Sequence, residues 1–291
     1  MINQSRFGAW TWVCVAIMLQ LVCQTVDARH SAAPRSHPVD VRSNSVLVMD
    51  EKTSHVLYAK QSDVAAPVAS ITKLMTALVV LDAKQSLDEK ITITEEDTDL
   101  AKPSASRLVV GSRFTRDDLL HVALMSSENR AANALARHYP GGLSACVAAM
   151  NAKARALLMT DTHFVDPTGL ASDNVASPHD LAKLVIAASH VPAIREYSTD
   201  ESHELLVNSR VLEFHNTDGL VKNPAWHIVV QKTGYISEAG RCLVLKAIMH
   251  GRSVVIVLLD SFGKFTRVAD AERIRKWLDR QMGESGAWRV S

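Results

Sequence analysis

The chain runs to 291 residues, enough for one large domain or two small ones with ample material for a core. Its 47% hydrophobic content is that of a globular protein, and a formal net charge of +1 leaves no global field to draw it onto nucleic acid or anionic lipid. Basic residues are scattered and no aromatic stripe runs among them, so no nucleic acid partner is expected.

The N-terminus differs in kind from the rest. Arg6 precedes the apolar run WTWVCVAIMLQLV (10–22), and the polar QTVDARH follows, with small Ala28 near its end. A positive start, a short apolar centre and a small residue have the form of a secretory signal, residues 1–28. The run is short for a bilayer span, which needs about 20 apolar residues. An uncleaved anchor is the lesser alternative, and no integral span is expected after cleavage. Val22 before Cys23 is too bulky for a lipoprotein signal. Cys14 and Cys23 leave with this segment, and Cys146 and Cys242 remain. An oxidising compartment permits their pairing, but one falls in a helical stretch and the other in an expected strand, which reads as two separate buried thiols. With no HExxH, no CxxC and no ligand spacing among the histidines, neither a metal nor another cofactor is expected.

Residues 29–41 are polar with two prolines and read as a flexible leader. SVLVMD (45–50) and HVLYAK (55–60), separated by EKTS, predict a hairpin. VASITKLMT (68–76) opens a helix running to about Leu81, and ITIT (91–94) is a short strand. From about 96 to 198 the pattern is helical: 115–125 with a threonine cap, 129–139 after a break at SSE, and 143–159. HFVDPTGLASDN (163–174) is a loop, and SPHDLAKLVIAAS (177–189) begins with a serine cap and a proline at the first helical position. Strands then return: SHELLV, RVLEFHN, AWHIVVQKTG, GRCLVLKAIMH and RSVVIVLLDS, the last nearly all aliphatic as a central strand is. KFTRVADAERIRKWLDRQM (264–282) closes the chain as an amphipathic helix. The expected architecture is one α/β domain with an inserted all-helical subdomain.

Ser70 and Lys73 stand three apart in the first helix, so they share a face. A lysine that is to take a serine proton near neutral pH must sit about 3 pH units below its free value of about 10.4, roughly 4 kcal/mol. An apolar helix mouth with a second cation nearby supplies that, and the lysine then activates the serine. Alone the pair is weak, since roughly one SxxK is expected by chance in a chain this long. A second copy, Ser261-Phe262-Gly263-Lys264, joins the last strand to the last helix and reads as a decoy. Lys232-Thr233-Gly234, at the end of an apolar strand, and Ser127-Glu128-Asn129, between two helices, change the odds. SxxK, SxN and KTG in this order are the signature of penicillin-interacting serine enzymes. Ser172-Asp173-Asn174 spells a literal SDN but sits in the proline–glycine loop, where turn chemistry accounts for it. The ordinary explanations are a helix-start serine for Ser70, a snorkelling side chain for Lys73, a cap pair for Ser127 and Asn129, and a strand end turning through glycine for Lys232-Thr233-Gly234. They would have to coincide in the right order. His179 and Asp180 are adjacent on a helix and read as first-turn capping, not a relay.

On these residues, with VASITKLMTA, ALMSSENRAANALA, HFVDPTGL, SPHDLAKL and QKTGYISEAGRCLV in order, the chain resembles the low-molecular-mass penicillin-binding proteins. It looks most like their D-alanyl-D-alanine endopeptidase subgroup. The resemblance implies a transpeptidase-like (serine β-lactamase-like) α/β fold, an antiparallel sheet with flanking helices, as a single DD-peptidase domain over 42–291. It implies a periplasmic enzyme that hydrolyses D-Ala-containing bonds of peptidoglycan stem peptides and takes β-lactams as covalent inhibitors. Ser70 would be the nucleophile, Lys73 its base and Ser127 part of the proton path. Asn129, Lys232, Thr233, Gly234 and Tyr235 would bind substrate, with Arg241 a further contact, and the amides of Ser70 and Tyr235 would form an oxyanion hole worth roughly 3 to 4 kcal/mol per donor. No ExxLN-type acidic loop is present, so a long-lived penicilloyl adduct is expected over β-lactamase turnover. The short stretch KWLDRQMGESGAWRVS after the last strands leaves no room for the further domain of related carboxypeptidases, which favours the endopeptidase subgroup. The competing readings are a D-Ala-D-Ala carboxypeptidase, a β-lactamase, and a catalytically silent muropeptide-binding or scaffold protein.

Overall fold

The aliphatic strand RSVVIVLLDS sits where its composition requires, inside a sheet covered on both faces. The computed structural model describes residues 39–98, 106–207 and 210–283. The expected signal 1–28 and residues 29–38 of the expected leader lie outside them. Val39 and Val41, at the end of that leader, are buried in the core. In chain order the strands are β1 (Ser45–Asp50), β2 (His55–Lys60), β3 (Ala66–Pro67), β4 (Lys90–Thr92), β5 (Arg113–Thr115), β6 (Val175–Ala176), β7 (Ser202–Val207), β8 (Arg210–His215), β9 (His227–Ile236), β10 (Gly240–Met249) and β11 (Arg252–Ser261). The helices are α1 (Thr72–Asp82), α2 (Arg116–Met125), α3 (Asn129–Arg137), α4 (Gly142–Ala156), α5 (Pro178–Ser189), α6 (Pro192–Thr199) and α7 (Thr266–Gly283).

The central sheet is antiparallel throughout, in the order β2-β1-β11-β10-β9. Period-two alternation divides its side chains cleanly. Val46, Val48, Leu243, Leu245, Val254, Ile256 and Leu258 face α7, whose Ala271, Ile274, Trp277 and Leu278 complete that core. Leu47, Met49, Val244, Val255, Val257 and Leu259 face the helices on the other side. There α1 is the hub: it is buried from Thr72 to Val80 and touches α2, α3, α4, α5 and α6. A helix enclosed on all sides needs apolar residues all round, and TKLMTALVVLD supplies them over its buried length except at Lys73 and at Thr72 and Thr76, whose hydroxyls donate to the Ala69 and Pro167 carbonyls.

Two features depart from the expected layout. Within the helical stretch 96–198, whose last part PAIREYST forms the short helix α6, α5 packs directly on β1, β9, β10 and β11. The strands SHELLV and RVLEFH form a separate two-stranded sheet, β7–β8, away from the central one. Among the described residues no helix is long and apolar enough to cross a membrane. Cys146 in α4 and Cys242 in β10 are both buried free thiols.

Candidate active site

The chain passes from β3 into α1 through a single 3-10 turn, Ala69–Ile71, so Ser70 precedes the α-helix and does not lie within it. In that tighter winding, residues three apart nearly eclipse, and Lys73 Nζ lies 2.8 Å from Ser70 Oγ. Ala69 has φ 49, a left-handed conformation unusual for a residue with a Cβ, and Ser127 repeats it at φ 63. Strained backbone thus flanks one of the two site hydroxyls and carries the other.

Lys73 is 1% exposed. Its Nζ donates to Ser70 Oγ at 2.8 Å, Asn129 Oδ1 at 2.6 Å and the Thr168 carbonyl at 2.7 Å. An ammonium has three N–H groups, and these contacts take one each. A neutral amine in the same place needs only one reversal, the Ser70 hydroxyl donating to Nζ across the same distance. The Thr168 carbonyl is held by a loop knotted around Asp166. Asp166 Oδ1 accepts from the amides of Thr168 (2.6 Å) and Gly169 (2.7 Å) and from Thr168 Oγ1 (2.8 Å), and Oδ2 accepts from the Ala171 amide (2.8 Å). Thr76 Oγ1, one turn along α1, donates to the Pro167 carbonyl at 2.8 Å. At Gly169 the loop comes so close that a Cβ would lie 1.9 Å from the Ala69 carbonyl oxygen, and its φ of +85 also demands glycine.

The opposite wall is the break between α2 and α3. It presents Ser127, whose Oγ accepts from Lys232 Nζ at 2.9 Å. Val230 and Ile236 of β9 join the helix-side core, so the strand period turns Lys232 and Gly234 to that side as well. Lys232 is completely buried. Burial holds its ammonium well below the ordinary lysine range, the charges of Lys73 and Arg267 push the same way, and Asp218 opposes them. Thr233 Oγ1 shares a 2.6 Å hydrogen bond with Thr217 Oγ1, and the Thr217 amide donates to the Met125 carbonyl at 3.1 Å. Lys232-Thr233-Gly234 does not end its strand, as expected from the sequence, but lies inside β9. Gly234 is there for close approach: a Cβ would fall 2.9 Å from the Val68 carbonyl oxygen and 3.1 Å from the Ser70 amide nitrogen. Tyr235 is 56% exposed, with the Arg241 guanidinium 4.5 Å over its ring.

Ser70, Lys73, Asn129, Ser127, Lys232 and Thr233 therefore form one connected cleft, with Gly234 against its floor and Tyr235 at its edge. The decoys stay out of it. Asn174 of the literal SDN is buried, its Oδ1 accepting from the Val165 (2.7 Å) and Asp166 (3.2 Å) amides and its Nδ2 donating to Thr72 Oγ1 (3.1 Å). It is a brace beneath the nucleophile turn. Ser261 of the second SxxK bonds Ser43 Oγ at 2.7 Å in the interior, while Lys264 is exposed over Phe265. Asp180 takes the amide of Asp161 and the hydroxyl of Thr162, in keeping with a structural role.

Several site residues escaped the sequence reading. Arg267, from the first turn of α7, donates Nη1 to the Gly234 carbonyl at 3.2 Å and sends its charge toward Lys232. Thr168 contributes a backbone oxygen, which has no side-chain signature. Thr217 is isolated in a polar connection. Glu128, inside the SxN motif, is buried with Oε1 lacking a hydrogen bond. Burial pushes its carboxyl above the usual range, against the Ser106 hydroxyl, the Arg130 amide and the charges of Lys73 and Arg130.

Comparison with known proteins shows what the whole chain is similar to. Residues 30–263 match a family described as D-alanyl-D-alanine carboxypeptidase. A Pseudomonas aeruginosa D-alanyl-D-alanine endopeptidase is 46% identical over 242 residues, 82% of this chain and 78% of that protein. An Escherichia coli D-alanyl-D-alanine endopeptidase is 43% identical over 277 residues, 94% of this chain and 88% of its own length. The crystal structure of a Streptomyces DD-transpeptidase superposes with a TM-score of 0.77 at 29% identity, covering 82% of this chain and 97% of that one. A Mycobacterium tuberculosis D-alanyl-D-alanine carboxypeptidase gives 0.76 at 30% identity, covering 84% and 94%.

Proposed function

Because the chain belongs to the D-alanyl-D-alanine carboxypeptidase family and is a serine DD-peptidase, we propose that its particular reaction is cleavage of D-Ala-containing cross-links between peptidoglycan stem peptides. The observation that carries the mechanism is the pair of lysine–serine contacts across one cleft, Lys73 to Ser70 at 2.8 Å and Lys232 to Ser127 at 2.9 Å. Ser70 Oγ attacks the carbonyl carbon of the D-Ala bond while its proton passes to Lys73 Nζ. The amides of Ser70 and Tyr235 receive the developing oxyanion. The C–N bond then breaks, and the leaving amine takes a proton delivered through Ser127, whose hydroxyl Lys232 holds in place. Water attacks the resulting ester, Lys73 accepts its proton, and Ser70 is restored. Lys232, Thr233 and Arg267 give the carboxylate of the leaving residue a cationic, hydrogen-bonding seat on the β9 side, and Asn129 orients a substrate amide or Lys73.

The same nucleophile opens a β-lactam ring. Asp166, the carboxylate of the loop that holds Lys73, is fully committed to four donors. It is not placed to activate a deacylating water, so the adduct is long-lived. The sequence 1–28 supports export, by a cleaved signal, to the periplasm where such substrates lie.

Intact-mass spectrometry after brief exposure to benzylpenicillin tests the site. A stable gain of one penicilloyl group, lost in Ser70→Ala, is expected. No adduct and no drug turnover would point to a silent muropeptide-binding or scaffold protein, and rapid turnover to a β-lactamase. Incubation with cross-linked muropeptide and with a stem pentapeptide then separates endopeptidase from carboxypeptidase action, the family description being the reason to test the second.

A further inference from the structure

The connection that leads toward β9 carries a strap of three residues, Asn216, Thr217 and Asp218. Asn216 Oδ1 accepts from Gln231 Nε2 at 2.8 Å, and Thr217 Oγ1 shares its hydrogen bond with Thr233 Oγ1. Asn216 Nδ2 ties the strap to the Ser198 (2.9 Å) and Asp200 (2.8 Å) carbonyls. Between those two β9 partners in sequence comes Lys232, and the charge of Asp218 bears on it.

Asp218 is 1% exposed. Its Oδ1 accepts from the Leu220 amide at 3.0 Å and caps the turn Gly219–Lys222. Asparagine caps as well as aspartate, so the cap does not account for a charge. Asp218 Oδ2 is buried without a hydrogen-bond partner among the described residues, and so is Arg267 Nε. The two side chains act on one another through their opposite charges. A protonated carboxyl needs an acceptor for its O–H, whereas Asp218 meets an amide N–H and two cations, Lys232 and Arg267. That company suits a carboxylate. The other charges on the pair are cationic: Lys73 from α1 acts on Lys232, and Arg241 from β10 on Arg267. Cys242 of β10 also faces Arg267, but burial pushes its thiol up to about 11 and keeps it neutral.

We infer that Asp218 is a positioning residue of the leaving-residue seat, its carboxylate being the buried counter-charge that keeps Lys232 protonated. The inference rests on the DD-peptidase reading above. Lys232, Arg267 and Asp218 together carry one net positive charge, the complement of one substrate carboxylate. Two N–H groups of Lys232 go to Ser127 Oγ and, at 3.0 Å, to the Thr233 carbonyl. An ammonium has a third to offer the substrate. Without Asp218, Lys232 faces Lys73 and Arg267 alone and gives up its proton at a lower pH. Its grip on the substrate carboxylate and on the Ser127 hydroxyl then weakens together, because hydrogen bonds from a charged donor are the stronger ones.

The test follows acylation by benzylpenicillin from about pH 6 to about pH 9. Wild type is compared with Asp218→Asn, which keeps the cap and removes the charge, and with Thr217→Val, which removes a neighbouring hydroxyl and no charge. Removing a negative neighbour disfavours the ammonium, so the alkaline limb of Asp218→Asn moves to lower pH. Its rate is expected within about threefold of wild type on the acid side and about tenfold below it once that limb is passed. Thr217→Val is expected to lose rate by the same factor at every pH. A constant ratio of Asp218→Asn to wild type, at unity or below, would mark a merely structural strap and overturn the inference. The same limb shift in Thr217→Val would overturn it as well. Carbon-13 NMR of carboxyl-labelled aspartate in wild type needs no variant to fold, and a protonated Asp218 at about pH 7 would be equally fatal. A wild-type protein that forms no penicilloyl adduct would instead sink the serine-acylation reading, and this inference with it.

Discussion

Gly234→Ala adds one methyl group at the point where β9 meets the nucleophile turn. Its Cβ would sit 2.9 Å from the Val68 carbonyl oxygen, 3.1 Å from Ala69 Cβ and 3.1 Å from the Ser70 amide nitrogen. Two of these neighbours are backbone and none is the free end of a long side chain, so the strand and the turn must part by roughly 0.5 Å, an overpacking cost of about 1 to 3 kcal/mol. A displacement of about 1 Å at a reacting group costs up to about 100-fold in rate. Acylation by benzylpenicillin, followed by stopped-flow, is therefore expected to fall roughly 10- to 100-fold while the melting temperature drops only a few degrees. Gly219→Ala is the control, since a Cβ there meets nothing within 4 Å. Acylation of Gly234→Ala within about threefold of wild type would refute the claim that close packing of β9 positions Ser70.

Asn174→Ala leaves the amides of Val165 and Asp166 without their acceptor and empties a fully buried position, and is expected to destabilise by about 2 kcal/mol. Denaturant unfolding measures it, and slower acylation should accompany the loss as the Thr168 carbonyl loosens from Lys73. Glu128 supplies a pH test. Its folded pKa is raised above the ordinary 4.5, so the carboxylate weighs against the fold fully above the folded pKa, and the penalty disappears below the unfolded one. Glu128→Gln should melt higher than wild type near about pH 8, with the gap closing near about pH 4; an equal gap at both would contradict the linkage. Burial pushes the Cys146 thiol up to about 12 and Cys242 to about 11. Both should be inert to a thiol reagent in the native protein at neutral pH and react on unfolding; rapid native labelling of either would show its burial to be wrong.

The legible parts of the site were those whose side chains repeat at short range or carry a charged signature. Ser70 and Lys73 needed only the geometry of one turn, and the order of SxxK, SxN and KTG named the walls before any coordinates did. What stayed hidden depends on tertiary approach. Arg267 is one basic residue in an amphipathic helix until the sheet order brings α7 beside β9. The contact at Gly234 stayed hidden for the same cause, since only the folded chain sets Val68 and Ser70 against it. α6 lay inside the stretch expected to be helical but was not singled out as an element, because PAIREYST is short and polar and is a helix through its packing on β9 and α2. The β7–β8 pair read correctly as strands, but alternation cannot say which sheet a strand joins.

The strand order has a consequence for how the protein comes into being. β9 reaches β1 only through β10 and β11, so the wall bearing Lys232 is joined to β1 and β2 only once residue 261 has been made. Contacts between β1 and β11 span some two hundred positions, Ser45 pairing with Leu259, and such long loops close late and slowly. A ribosome-bound fragment ending before β11 holds Ser70, Lys73 and Ser127 without a cleft. The wall bearing Lys232 is therefore among the last parts of the site to be fixed in place, well after the turn that carries Ser70.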